Sequence, residues 1–185
     1  MRAEVAEDAV LGGKLRLKQP RSGHRVGHDA ILLAAACPAR VGEHVVELGA
    51  GVGAAGLSLA RRVEGTDVAL VEVDPFLAEL AAENARLNGL DTRVSSIVLD
   101  VTAPARAFAA ARLMPETAAR VLMNPPFNDP ARQRVSADPQ RRLAHVGSGE
   151  TLPAWIKTAA RLLRPRGTPT MIWRADGLAE VLQAL

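Results

Sequence analysis

The residues best equipped for chemistry are Asn124-Pro125-Pro126-Phe127, which end the short apolar run Val121-Leu122-Met123. Two successive prolines remove two N–H donors and push the residues before them into extended geometry, so the backbone must leave the edge of a sheet as a rigid loop. Phe127 is one of three Phe in a chain with two Trp and no Tyr, and it precedes Asn128-Asp129-Pro130, where neither a strand nor a helix would readily bury it. An amide side chain, a free proline carbonyl and an aromatic face held together suit a flat substrate that carries an NH2 group. The alternative is a buried turn with Phe127 plugging the core, since any short motif also arises without its chemistry.

A second constellation lies upstream. Glu47-Leu48-Gly49-Ala50-Gly51-Val52-Gly53 follows an apolar strand and opens a helix. Glycines there let the backbone pass close beneath a ligand, and a helix start offers free N–H groups. Roughly 20 residues on, the distance at which an acid meets a ribose in nucleotide-binding βαβ units, Glu72 ends the next strand. Asp100 ends a third strand, placed either to accept from an exocyclic amine or to cap a turn. Together they indicate a cofactor with an adenosine part. Gly51-x-Gly53-x-x-Gly56 also satisfies the dinucleotide pattern and so admits an NAD enzyme. Against that reading stand Glu47, which would repel a pyrophosphate but suit an amino group, and the lack of any Tyr to donate a proton.

The elements that position these residues alternate. Strands are expected at 44–48, 67–73, 94–99, 120–123 and 168–173, and helices at 54–63, 75–88, 105–112, 152–163 and from Leu178. Asp74 is the expected N-cap of the 75–88 helix, with Pro75 at its first position and Asn88-Gly89 as its stop. A further helix over Ala30–Ala36 is expected to start at His28 or Asp29 and to end before Pro38. Residues 1–9 read as a loose acidic tail, and Leu11–Leu17 as a glycine turn leading into the strand of a small hairpin. Such alternation with near-continuous apolar strands implies an α/β fold, a doubly wound parallel Rossmann-like sheet with helices on both faces and ligands beyond the carboxyl ends of the strands. Residues 1–27 are read as tail and hairpin, and 28–185 as one domain. The segment Asn128–Thr151 is long enough for a structureless stretch to be functional.

Composition narrows the function. At 185 residues and 48% hydrophobic the chain has material for one core, and its longest apolar run, Ala30–Cys37, is too short to span a bilayer. With no basic-then-apolar leader at its start, a cytoplasmic protein is expected. One Cys and four His without ligand spacing lead us to expect no metal. The net charge of +3 is small, but basic residues crowd Lys14–Arg25 and Arg132–Arg142, permitting a polyanionic partner.

The order Glu-x-Gly-x-Gly-x-Gly, an acid ending the second strand, an Asp ending the third and Asn-Pro-Pro-Phe after the fourth resembles the class I S-adenosylmethionine-dependent methyltransferases that act on amines, over residues 41–173. Gln19-Pro20, Gly27-His28-Asp29-Ala30-Ile31-Leu32-Leu33 and Arg142-Leu143-Ala144-His145 are similar to bacterial enzymes that methylate N6 of the adenosine beside the anticodon of a valine tRNA. The resemblance implies S-adenosylmethionine as cofactor and RNA, a tRNA above all, as partner. It implies that Glu47, Gly49, Gly51 and Gly53 hold the methionine part, Glu72 the ribose, and Asp100 with the Val101 N–H the adenine. Asn124, also next to the cofactor, and the Pro125 carbonyl would grip the target amine, Phe127 would stack on its ring, and Arg132, Arg134, Arg141 and Arg142 would meet RNA phosphates. Guanine N2 of ribosomal RNA and a glutamine amide of a protein are alternative targets, and an inactive RNA-binding module is a more distant one. The family's sheet usually closes with an antiparallel strand pair; this sequence offers none after its last helix.

Overall fold

A computed structural model of the protein describes residues 4–22, 25–126 and 151–184. Its main sheet has five parallel strands in the order β5-β4-β3-β6-β7, comprising β3 (His44–Leu48), β4 (Asp67–Glu72), β5 (Val94–Val98), β6 (Ala118–Met123) and β7 (Leu163–Met171). The helices are α1 (His28–Ala36), α2 (Ala54–Arg62), α3 (Pro75–Leu87), α4 (Ala105–Ala110), α5 (Thr151–Leu162) and α6 (Leu178–Ala184). Each central strand divides its side chains between two cores, because successive residues point to opposite faces. Val45, Val68, Leu70 and Leu122 pack with α1, α2 and α3 on one face. Val46, Leu48, Ala69, Val71, Val121 and Met123 pack with Phe108 of α4, with α5 and with Val181 of α6 on the other. This is the doubly wound arrangement expected, and among the described residues β7 pairs only with β6, without an antiparallel pair beyond it.

Capping decides several boundaries. Asp74 accepts from Phe76 N at 2.8 Å and Leu77 N at 3.4 Å, with Pro75 in the first turn of α3, as the sequence predicts. α1 likewise begins at His28, within the expected start, with Gly27 in the N-cap position and no side chain closing it. In β7 only the second half is regular: Arg120 pairs with Thr168, but Ala118 pairs with Leu163, so Arg164–Gly167 bulge out between them, with Arg166 at φ +64°. Pro165, within the bulge, explains why the sequence pattern showed only the later part of this strand.

The N-terminus is more ordered than a tail. Val5–Val10 (β1) and Leu15–Pro20 (β2) form an antiparallel hairpin, with Val10 opposite Leu15. Val5-Ala6-Glu7-Asp8-Ala9-Val10 is too acidic to read as a strand by itself; it is one because β2 pairs with it, and Leu15 and Leu17 are fully buried in the α1–α3 core.

At the amino ends of the strands, Glu43 forms a buried ion pair with Arg120 at 3.0 Å and a second with half-exposed Arg164 at 3.1 Å. It ties the entry of β3 to β6 and to the bulge of β7. A buried charge that loses its partner typically costs about 3 to 5 kcal/mol. Glu43→Met is therefore expected to lower the urea unfolding midpoint strongly, and adding Arg120→Met should restore part of the loss. A double variant less stable than the single one would show that the pair is not what holds these ends.

Candidate functional site

The strand register places the site. Leu48 lies beside Val71 on one side and Met123 on the other, so the residues that follow, Gly49, Glu72 and Asn124, share one level at the carboxyl edge of the sheet. The order reverses direction at β3 and β6, which is where an open α/β sheet forms its ligand crevice.

The glycine loop is held from several sides. Ala50 N donates to Val71 O at 2.9 Å, Gly51 N to Glu72 Oε2 at 2.7 Å and Gly53 N to Ala50 O at 2.8 Å. Gly49, Gly51 and Gly53 all have positive φ, at +68°, +55° and +84°. A Cβ on Gly49 would run into the Trp155 ring of α5, and one on Gly53 would come within 2.8 Å of Leu70, so both face the protein. A Cβ on Gly51 would meet nothing within 4 Å. The middle of the loop thus faces open space, as a cradle for a ligand must.

Glu72 is buried, and its two oxygens serve two loops: Oε2 accepts from Gly51 N and Oε1 from Asp74 N at 2.9 Å. Glu47 sits deeper. It is 4% exposed and accepts from Gly56 N at 2.7 Å, beneath the first turn of α2. Burial pushes its carboxyl up to about 8; the Gly56 N–H opposes the rise and the nearby Glu72 charge adds to it.

Asp100 is exposed and closes a turn, its Oδ1 accepting from Thr102 N at 2.7 Å and Thr102 Oγ1 at 2.8 Å. Val101 beside it is buried, and its carbonyl accepts from Thr158 Oγ1 at 2.9 Å. Beyond β6, Pro125 is buried and Pro126 exposed, and the last carbonyl of the strand, Met123 O, accepts from Ile172 N at 3.1 Å. Asn124 Oδ1 is buried and, among the described residues, accepts from no donor. Nearly all buried acceptors in folded proteins are paired, so this one indicates a missing partner. Trp155 and Thr158 were not legible in the sequence, because each acts on a loop far away in the chain.

Phe127 and the arginines Arg132, Arg134, Arg141 and Arg142 lie outside the described residues, as does the segment between them. The other basic cluster is largely neutralised. Arg16 pairs with Glu7, Lys18 with Glu83, Arg21 with Glu4 and Arg25 with Asp8, so these charges serve the hairpin first. Among the described residues no group of His, Cys, Asp and Glu could hold a metal ion, and no helix is long and apolar enough to cross a membrane.

The family model of the methyltransferase small domain matches residues 22–182. The chain belongs to this family. A curated tRNA1(Val) (adenine(37)-N6)-methyltransferase from Enterobacter sp. (strain 638) is 31% identical over 170 residues, covering 90% of this chain and 65% of that protein. One of the same name from Dickeya chrysanthemi (strain Ech1591) is 31% identical and is covered over 55% of its length. The chain therefore spans less than two thirds of these relatives. Among solved structures, a predicted O-methyltransferase, protein Atu636 from Agrobacterium tumefaciens, superposes with a TM-score of 0.67 at 30% identity, covering 84% of this chain and 65% of that one. TrmN from Thermus thermophilus, at 24% identity and a TM-score of 0.60, shares the fold. This methyltransferase domain is of class I, whose cofactor is S-adenosylmethionine. The open cradle over Gly51 and the acid at the end of β4 fit that cofactor.

The neutral state of Glu47 can be measured. Its folded value of about 8 lies above the ordinary 4.5, so between these limits the folded chain keeps a proton that the unfolded chain has lost. The stability this contributes is complete below about 4.5 and gone above about 8, falling by up to about 1.4 kcal/mol per pH unit in between. Glu47→Gln, which keeps the shape and the acceptor but cannot ionise, should unfold in urea with a shallower fall across that window. Equal slopes for both proteins would show that Glu47 is ionised in the fold.

Proposed function

We propose that this chain transfers a methyl group from S-adenosylmethionine to an exocyclic amine of a nucleobase, adenine N6 in a tRNA. The observation that carries this reading is the buried, unpaired Asn124 Oδ1 at the carboxyl end of β6. An acceptor aimed into a ligand crevice calls for an N–H donor, and a base amine brings two. Curated relatives named as tRNA1(Val) (adenine(37)-N6)-methyltransferases support the choice of base and of RNA. A tRNA substrate in turn assigns the work to the cytoplasm.

The bound cofactor supplies an electrophilic methyl on a sulfonium. The rest falls to the chain. The glycine loop cradles the methionine part, with Glu47 bracing the start of α2 beneath it. Glu72 already holds Gly51 N and Asp74 N, and its remaining lone pairs accept from the ribose hydroxyls. Asp100 and the Val101 N–H take the adenine, the latter on a peptide whose neighbouring carbonyl Thr158 fixes. Asn124 Oδ1 and the Pro125 carbonyl accept the two amine hydrogens. Two acceptors in that position turn the nitrogen lone pair, otherwise conjugated into the ring, toward the methyl group. The amine nitrogen would so be placed to take the methyl group the sulfonium supplies, and its surplus proton would pass to solvent while Asn124 and Pro125 hold the base. No strong base is required, because orientation and charge stabilisation carry the step. The base must be single-stranded or turned out of its stack, with Phe127 against its face.

Removing one hydrogen-bond partner of a transition state typically costs about two to three orders of magnitude in turnover. Asn124→Ala should therefore lower kcat on undermodified tRNA by about that much while leaving S-adenosylmethionine affinity nearly intact, whereas Phe127→Ala should chiefly raise the KM for RNA. Near-normal turnover in folded Asn124→Ala protein would remove the amine-gripping role. Separately, reversing two of Arg132, Arg134, Arg141 and Arg142 should reduce the salt dependence of RNA binding by about 1 to 2 units of slope. An unchanged slope would show these arginines to be an ordinary solvated loop.

A further inference from the structure

The outer edge of β2 is covered by two amide side chains of α3 rather than by a third strand. Asn88 accepts from Arg16 N at 2.9 Å and donates to Arg16 O at 2.7 Å, and Asn84 accepts from Lys18 N at 2.7 Å and donates to Lys18 O at 2.9 Å. The match is geometric. Four residues of helix rise about 6 Å and two residues of strand about 6.8 Å, so asparagines at i and i+4 meet strand residues at j and j+2 and mimic the ladder of a neighbouring strand.

The two asparagines differ in what else they do. Asn88 is at the exposed end of α3 and also donates to Asn84 O at 2.7 Å. Asn84 is fully buried, and its amide donates a second hydrogen bond, at 3.0 Å, to Val52 O inside the glycine loop. The peptide unit that joins Val52 to Gly53 is thereby fixed at both ends, its carbonyl by Asn84 and its N–H by Ala50 O. One side chain thus holds the strand edge of the hairpin and the back of the cradle at once. A displaced hairpin would remove the Lys18 N–H and carbonyl that orient this amide, and with them the constraint that aims its other hydrogen at Val52 O.

We propose that Asn84 is a positioning residue that couples the N-terminal hairpin to the cofactor loop, so that docking of the hairpin and binding of S-adenosylmethionine favour each other. The hairpin then belongs to the cofactor site through Asn84. The coupling is reciprocal: whatever affinity the docked hairpin adds to the cofactor, the cofactor returns as protection of the hairpin. This rests on the cofactor assignment above, and the test separates the two.

Amide hydrogen exchange is followed in the wild type, Asn84→Ala and Asn88→Ala, with and without S-adenosylhomocysteine, whose affinity is measured by calorimetry. In the wild type, ligand should slow exchange at residues 15–20 as well as 50–55. In Asn84→Ala the protection should stay within 50–55, and the dissociation constant should rise about tenfold, equivalent to about 1.4 kcal/mol. Asn88→Ala, which loses a hairpin anchor but no contact to the loop, should change it by less than about twofold. Without ligand, Asn84→Ala should already speed exchange at 50–55. A wild type that binds ligand without slowing residues 15–20, or an Asn84→Ala protein with an unaltered loop and affinity, would overturn the coupling. If the wild type binds no S-adenosylhomocysteine, the cofactor assignment fails, and the ligand-free comparison alone decides whether Asn84 sets the loop. Should Asn84→Ala not fold, the wild-type ligand comparison still decides.

Discussion

The carboxylate of Glu72 is the contact on which the rest of the site depends. Its two oxygens accept from Gly51 N and Asp74 N, joining the loop that opens α2 to the loop that opens α3. Without it, the glycine loop would be held at its ends but not in its middle, which is the part facing open space. The acid is thus a support of the loop, a role that follows from its place at the end of β4, one level with Gly49 and Asn124, and the proposed ribose contact would use the same place.

The two faces of the sheet serve this edge in different ways. On one face, Asn84 braces the loop from α3 and Glu47 braces the start of α2. On the other, Trp155 fills the space that a side chain at position 49 would need, and Thr158 fixes the peptide of Val101. Asn124 is the exception. Its side-chain oxygen is buried without a donor among the described residues, which typically costs about 1 to 3 kcal/mol and which a ligand N–H would relieve. On the proposed function, an acceptor left unsatisfied in the fold and satisfied by the base amine would put binding energy at the reacting atom.

Local chemistry made much of this legible in the sequence. Asp74, Pro75 and Asn88-Gly89 bounded α3 because caps act within one turn, and the glycine loop, Glu72 and Asn124-Pro125-Pro126 stood out because each sits where a strand must end. What stayed hidden acts over distance. The strand Val5–Val10 depends on a partner across the hairpin turn, the Asn84 and Asn88 amides reach residues 66 and 72 positions away, and Glu43 finds Arg120 across 77. Glu47 was legible as an acid before a glycine, but its burial was not, because whether a strand-end side chain turns outward or under the next helix depends on packing. Asp100 shows the same limit. Its turn-capping bond to Thr102 was one of two readings the sequence left open, and it is the one present in this structure.

The claim at the centre is that the carboxyl edge of β3, β4 and β6 brings a sulfonium methyl to a base amine held by Asn124. Its most direct test is product identity. Purified protein is incubated with S-adenosylmethionine labelled in its methyl group and tRNA lacking the modification, and the RNA is digested to nucleosides and analysed by mass spectrometry. The account predicts label in N6-methyladenosine, with unlabelled cofactor product released in equal amount. Label on a ribose or on a ring carbon, or no transfer by protein that binds the cofactor and the tRNA, would contradict it.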